Sequence, residues 1–135
     1  TDVNLAVSLN ATTDEMRSRL MPINKKYPLN QLLEACRTFT MKPRKKITFE
    51  YILMKGVNDT KEDALKLAKL LAPIKAKINL IPFNEYDNSD FKRPSKNQIS
   101  EFLQVLLDRD FTAITRKSKG DDILAACGQL KAKLY

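Results

Sequence analysis

The sequence predicts an α/β fold: the C-terminal part of a partial TIM-like (β/α) barrel, about four parallel strands with alternating helices. Three observations carry that prediction. Four β-prone apolar runs recur along the chain, and stretches with helical spacing of apolar residues separate them. The helical stretches open on Thr, Ser or Pro and stop at proline or polar residues, so each is a discrete helix. Connections of that length join parallel strands through right-handed crossovers. Four strands cannot close an eight-stranded barrel, which takes about 250 residues. The 135 residues therefore read as a single domain, 1–135, excised from a longer protein with a larger barrel, closed or open.

Val3–Leu9 is the first strand-like run. Thr12 opens a helix with Glu15 three residues later as a capping box, Met16 and Leu20 share one face, and Pro22 ends it. Pro28 stands at the first turn of the next helix, whose Leu29, Leu32, Leu33 and Cys36 follow helical spacing. Pro43 and the Arg44-Lys45-Lys46 cluster break that pattern. Ile47–Met54, rich in β-branched and aromatic residues, is the clearest strand. Asn58-Asp59-Thr60 starts a helix carrying Ala64, Leu65, Leu67, Ala68 and Leu71, and Pro73 stops it. Lys77–Pro82 is the third strand. After a polar loop from Glu85 to Pro94, Ser95 and Gln98 form a capping-box pair ahead of Ile99, Phe102, Leu103 and Leu106. Phe111–Thr115 is the fourth strand, and Ile123–Leu134 reads as a short terminal helix or turn. The free flank of the first strand is an edge able to pair with another copy.

Composition narrows the chemistry. With 24 basic and 16 acidic residues the formal charge is +8, which fits either an anionic partner such as nucleic acid or a solvated basic surface. Tryptophan is absent and aromatics are few, so RNA contact would lean on phosphates more than on stacking. Lys45, Lys46, Arg116, Lys117 and Lys119 are the candidate phosphate contacts. The chain has no histidine, so neither a histidine triad nor the usual Cys/His zinc site can be built. Two cysteines cannot hold an iron–sulfur cluster and are expected to be free thiols. No apolar run approaches membrane-spanning length and no signal peptide is apparent, so the expected setting is the cytoplasm, with no membrane partner.

In parallel α/β folds, ligands bind where the carboxyl ends of the strands converge. All four predicted strands end there in polar residues: Ser8-Leu9-Asn10, Lys55–Asn58, Phe83-Asn84-Glu85 and Arg116–Ser118. Short polar groups and backbone at Ser8, Leu9 and Asn10 suit the amino acid and ribose parts of a nucleoside cofactor. The Asn84 amide can donate to and accept from an adenine edge or a ribose, or simply close a turn. Cys36 lies on an apolar helical stripe and behaves as a small hydrophobe. Cys127 stands between Ala125-Ala126 and Gly128, where an approaching ligand meets little bulk. Basic residues at 116, 117 and 119 favour its thiolate while Asp121 and Asp122 oppose it, so spacing alone leaves a reactive role open.

The run Arg116-Lys-Ser-Lys-Gly-Asp-Asp-Ile-Leu-Ala-Ala-Cys127-Gly-Gln-Leu closely resembles the C-terminal motif of the RlmN family, radical S-adenosylmethionine methyltransferases acting on carbon 2 of adenine in 23S rRNA and tRNA. Further blocks resemble the family in the same order: Val7–Ala11, Met21–Lys26, Thr48–Tyr51, Gly56–Asp59 and Ile78–Asn84. The resemblance implies that Ser8, Leu9, Asn10 and Asn84 contact S-adenosyl-L-methionine, although many relatives have histidine where this chain has Asn10. It implies that Cys127 is the catalytic cysteine, which takes a methyl group from that cofactor. A 5′-deoxyadenosyl radical then activates the methyl group, and a second cysteine resolves the thioether to RNA. It further implies a 4Fe-4S cluster and a resolving cysteine upstream, since no Cys-x3-Cys-x2-Cys run occurs here. The segment alone is then inert, and the parent works as a monomer. Two other readings stand beside this one. Related resistance enzymes that methylate adenine carbon 8 share the Ala-Cys-Gly-Gln-Leu ending, and a non-catalytic RNA-binding α/β domain would also use a basic rim.

Overall fold

The computed structural model describes residues 3–85 and 90–117. The order of elements is β1 (Val3–Ser8), α1 (Asp14–Leu20), a 3-10 turn (Pro22–Lys25), α2 (Leu29–Thr40), β2 (Lys45–Leu53), α3 (Lys61–Leu71), β3 (Ala76–Pro82), α4 (Lys96–Asp108) and β4 (Thr112–Thr115). The strands form one sheet in the order β1-β2-β3-β4, and every pairing is parallel. Sequence order and spatial order coincide, so the sheet winds in one direction as a barrel wall does. A doubly wound sheet would reverse its strand order partway. The sheet is open, as expected for part of a barrel.

The helix boundaries follow local chemistry. Thr13, one residue later than the sequence suggests, caps α1 by accepting from Met16 N. Thr60 and Asp63 form a reciprocal capping box on α3. Ser95 caps α4 by accepting from Gln98 N, but the Gln98 side chain does not return the bond. Its Nε2 donates instead to Asp59 O, tying α4 to the loop after β2.

The core lies on one side of the sheet. Ile47, Phe49, Tyr51 and Leu53 of β2 and Ile78 and Leu80 of β3 meet Cys36 of α2, Leu67 and Leu71 of α3, and Phe102 and Leu106 of α4. Tyr51 and Phe102 stack at a tilt with ring centroids 5.3 Å apart. Residues of opposite parity face the other way. Near the carboxyl ends that second face is capped by a smaller apolar cluster of Ala11, Leu20, Ile52, Met54, Ile81 and Phe83. β1 is an edge strand with Val3 and Leu5 more than two-fifths exposed, in line with the unpaired flank expected from sequence.

Candidate functional site

Because all pairings are parallel, the loops after β1, β2, β3 and β4 share one rim of the sheet. The two lysines at the other end of β2, Lys45 and Lys46, lie on the opposite rim. They therefore cannot join Arg116 and Lys117 in a single phosphate-binding surface.

The segment Ser8-Leu9-Asn10 is held by its own backbone. Leu9 is fully buried in the core; its N–H donates to Glu50 O at 2.9 Å and its carbonyl accepts from Arg17 Nε at 3.1 Å. Arg17, only 5% exposed, also donates Nη2 to Ser8 O at 3.0 Å and Nη1 to Asn24 Oδ1 at 3.0 Å. Asn24 is anchored in turn by donating to Asp14 Oδ1 and Ser18 Oγ. Burial pulls the Arg17 pKa down, countered by the nearby Asp14 charge. Asp14 is held below the usual carboxylate value, first by the Leu29 N–H and then by Asn24.

Asn10 occupies the left-handed region at φ 60°, which asparagine tolerates better than most side chains. Its Oδ1 accepts from Ile52 N at 2.9 Å and its carbonyl accepts from Asn58 Nδ2 at 2.8 Å. Asn58 also donates to Ile52 O at 2.7 Å and accepts from Met54 N at 2.8 Å. The Asn10 side chain thus locks β1 to β2, leaving the exposed Ser8 hydroxyl as the accessible side-chain group of the tripeptide.

Asn84 is half-buried at the end of β3, and its Oδ1 accepts from Arg93 Nη1 at 2.9 Å. Its Nδ2 faces no hydrogen-bond partner among the described residues. Arg116, whose N–H bonds to Leu80 O, and Lys117 are exposed at the end of β4. Cys127, together with Ser118, Lys119 and the predicted terminal helix or turn, lies outside the described residues. Cys36 is buried in the core, and burial pushes its thiol pKa up.

Two polar residues escaped the sequence reading. The register sets Ser8 beside Glu50 and Glu50 beside Asn79, a transverse row on the face away from α2–α4. Glu50 and Asn79 are half-buried and carry no side-chain hydrogen bond among the described residues. The alternation Thr48–Glu50 against Phe49–Tyr51 was the available signal. Arg17 was also missed; a lone arginine on a short helix gives no sequence cue to a clamp on β1. A depression of about 200 Å³ on this rim, lined by Met16, Arg19, Leu20, Gly56, Val57 and Phe91, is smaller than a typical ligand cleft of roughly 300–1,000 Å³.

No family model matches the chain. It is 63% identical over 134 residues to the dual-specificity RNA methyltransferase RlmN of Desulfosudis oleivorans, covering 99% of this chain and 36% of that protein. It is 62% identical over 132 residues to the protein of the same name from Geobacter sulfurreducens, covering 98% and 37%. Among solved structures it is similar to a radical SAM methyltransferase from Sphaerobacter thermophilus, with TM-score 0.85, 46% identity and coverage of 96% of this chain and 38% of that one. A domain of a pyruvate-formate lyase-activating enzyme from Bacteroides vulgatus shares the fold alone, at TM-score 0.67 and 19% identity over 84% of this chain and 66% of that one. Sheet, rim and likeness together define a segment of the radical S-adenosylmethionine class. Within that class the chain belongs to the RlmN family, and it spans just over a third of the length of the curated relatives it matches.

Proposed function

We propose that the protein containing this chain methylates carbon 2 of adenine in 23S rRNA and in tRNA, with Cys127 as the residue that carries the methyl carbon. The observation that carries this reading is the close match, along nearly the whole chain, to relatives named as RNA methyltransferases. S-adenosyl-L-methionine would supply the methyl group and, with electrons from a 4Fe-4S cluster, the radical that activates it. The residues on the rim fit the first of these groups. The Ser8 hydroxyl and the Asn84 Nδ2 offer hydrogen bonds to ribose, adenine or amino acid atoms. Leu9 and Asn10 contribute as the fixed turn that presents Ser8, with Arg17 holding its carbonyls. The cluster finds no ligands here: among the described residues no group of three Cys, His, Asp or Glu could hold a metal.

Each side chain then has a limited task. The Cys127 sulfur accepts carbon as a nucleophile and must reach both cofactor and base, so its thiolate has to be accessible. Arg116 and Lys117 hold RNA phosphates at the same rim, and the target adenine leaves its stack to be reached. The proposed enzyme works as a monomer in the cytoplasm; among the described residues no helix is long and apolar enough to cross a membrane.

The test uses the full-length protein with its cluster loaded. Cys127→Ala is expected to abolish 2-methyladenosine in digested 23S rRNA, read by mass spectrometry, while S-adenosylmethionine still binds. Undiminished product would remove Cys127 from the chemistry. A methyl group found on carbon 8 would move the protein to the related resistance enzymes.

A further inference from the structure

The rim at the amino ends of the strands has a character that the proposed reaction does not use. Lys42, Arg44, Lys45, Lys46, Lys75 and Lys77 surround a depression of about 700 Å³, and no carboxylate among the described residues lines it. Its remaining lining mixes the polar Asn4, Thr40 and Thr48 with the apolar Ile47 and Ala76, and Met41 and Pro43 stand at the turn. The cations come from three separate stretches: the turn after α2, the start of β2, and the start of β3 with the residue before it. The turn is fixed. Arg44 sits at φ 61°, its carbonyl accepts from Val3 N at 2.8 Å, and Lys45 N donates to Lys42 O at 3.3 Å.

Fold stability does not account for this arrangement. Ile47 pairs with Ala76 and Thr48 with Lys77, so Lys75 and Lys77 are brought to the same rim as Lys42 and Arg44 of the turn that leads into β2. Like charges gathered on one rim repel one another. Lys42, Arg44, Lys75 and Lys77 are exposed, so burial of their stems offsets little of that repulsion. An anion that bridges the stretches would relieve it. The cations are spread over an open concavity, which suits an extended polyanion better than one small phosphate.

We propose that this rim is a second RNA-binding surface, which grips the phosphate backbone of a folded RNA at a distance from the base presented at the carboxyl rim. The proposal rests on the RNA-methyltransferase reading above. The two rims are separated by the length of β2, roughly 25–30 Å at about 3.3 Å per residue. An RNA with tertiary structure can span that distance, whereas a short single-stranded oligonucleotide held at the other rim need not reach it. The surface would therefore select for a folded substrate without reading its sequence.

The experiment compares the full-length protein with a Lys42→Gln/Lys75→Gln/Lys77→Gln variant, using a folded tRNA and a short oligonucleotide that carries the same target adenine. The KM for folded RNA is expected to rise roughly tenfold, and the slope of log affinity against log salt to fall by about 0.7–0.9 for each phosphate that is no longer neutralised. The kcat, S-adenosylmethionine affinity and KM for the oligonucleotide should stay as they were. A matching triple lysine-to-arginine variant should behave as wild type, and the single Lys75→Gln change gives a readout if the triple folds poorly. Unchanged RNA affinity and salt slope overturn the proposal. So does equal damage by the arginine variant, or a drop in melting temperature with RNA affinity intact, which would mean the rim seats another part of the same protein. If the wild-type protein neither binds nor methylates RNA, the underlying reading fails, an outcome distinct from failure of this rim alone.

Discussion

Asn58 does more for the candidate site than its place in a turn suggests. Its amide joins the Asn10 and Ile52 carbonyls and the Met54 N–H, so Asn58→Ala leaves three buried backbone groups without partners. The expected loss is about 3 kcal/mol of stability, measured by urea denaturation. A loss below about 1 kcal/mol would mean water replaces the amide. Cys36 is the other residue whose environment makes a prediction. Burial raises its thiol pKa, an effect only partly opposed by Arg17. The contribution to stability is complete below the unfolded-state value near 9.0 and is lost as pH rises through the folded value. Stability should therefore fall at alkaline pH, and Cys36→Val should flatten that limb. Alkylation of Cys36 should be slow until the protein unfolds; rapid labelling of the native state contradicts its core position. This cysteine was legible in the sequence because helical spacing is local. The Asn10–Asn58 bond was not, since it joins residues 48 apart and exists only once β1 and β2 have paired in register.

At the scale of elements, the caps carry the clearest energetic signature. Thr60 and Asp63 satisfy each other's backbone N–H groups at the start of α3, which supplies Ala64, Leu67, Ala68 and Leu71 to the core. Thr60→Ala should cost about 1 kcal/mol and lower the melting temperature. No change in melting temperature would mean the α3 start is held by packing alone. Such starts are readable because a Thr or Ser and its partner stand three residues apart. The Ser95–Gln98 pair shows the limit of that signal. The spacing was right, yet Asp59 O claims the Gln98 side chain, a tertiary competitor invisible to a local pattern. The strands were equally plain from their β-branched and aromatic content, whereas the transverse row of Ser8, Glu50 and Asn79 needed the register.

For the whole molecule, the parallel order fixed the shared rim before any side chain was considered, which is why Ser8 and Asn84 could be assigned to one rim from topology. It also separated Lys45 and Lys46 from Arg116, a division that composition conceals, since net charge carries no direction. The 135-residue chain, incubated with S-adenosylmethionine, reductant and RNA, is expected to give no methylated adenine by nucleoside mass spectrometry. Product formed by this segment alone would show that cluster chemistry is not required.

The concentration of large apolar side chains on the helix-bearing side has one more consequence. Phe49, Tyr51, Leu67 and Phe102 find their neighbours within this segment, while the opposite surface near the amino ends is polar enough to meet water. Shape can thus be acquired before any prosthetic group arrives. On the proposed function, metal and nucleoside would be added late, against a wall already standing.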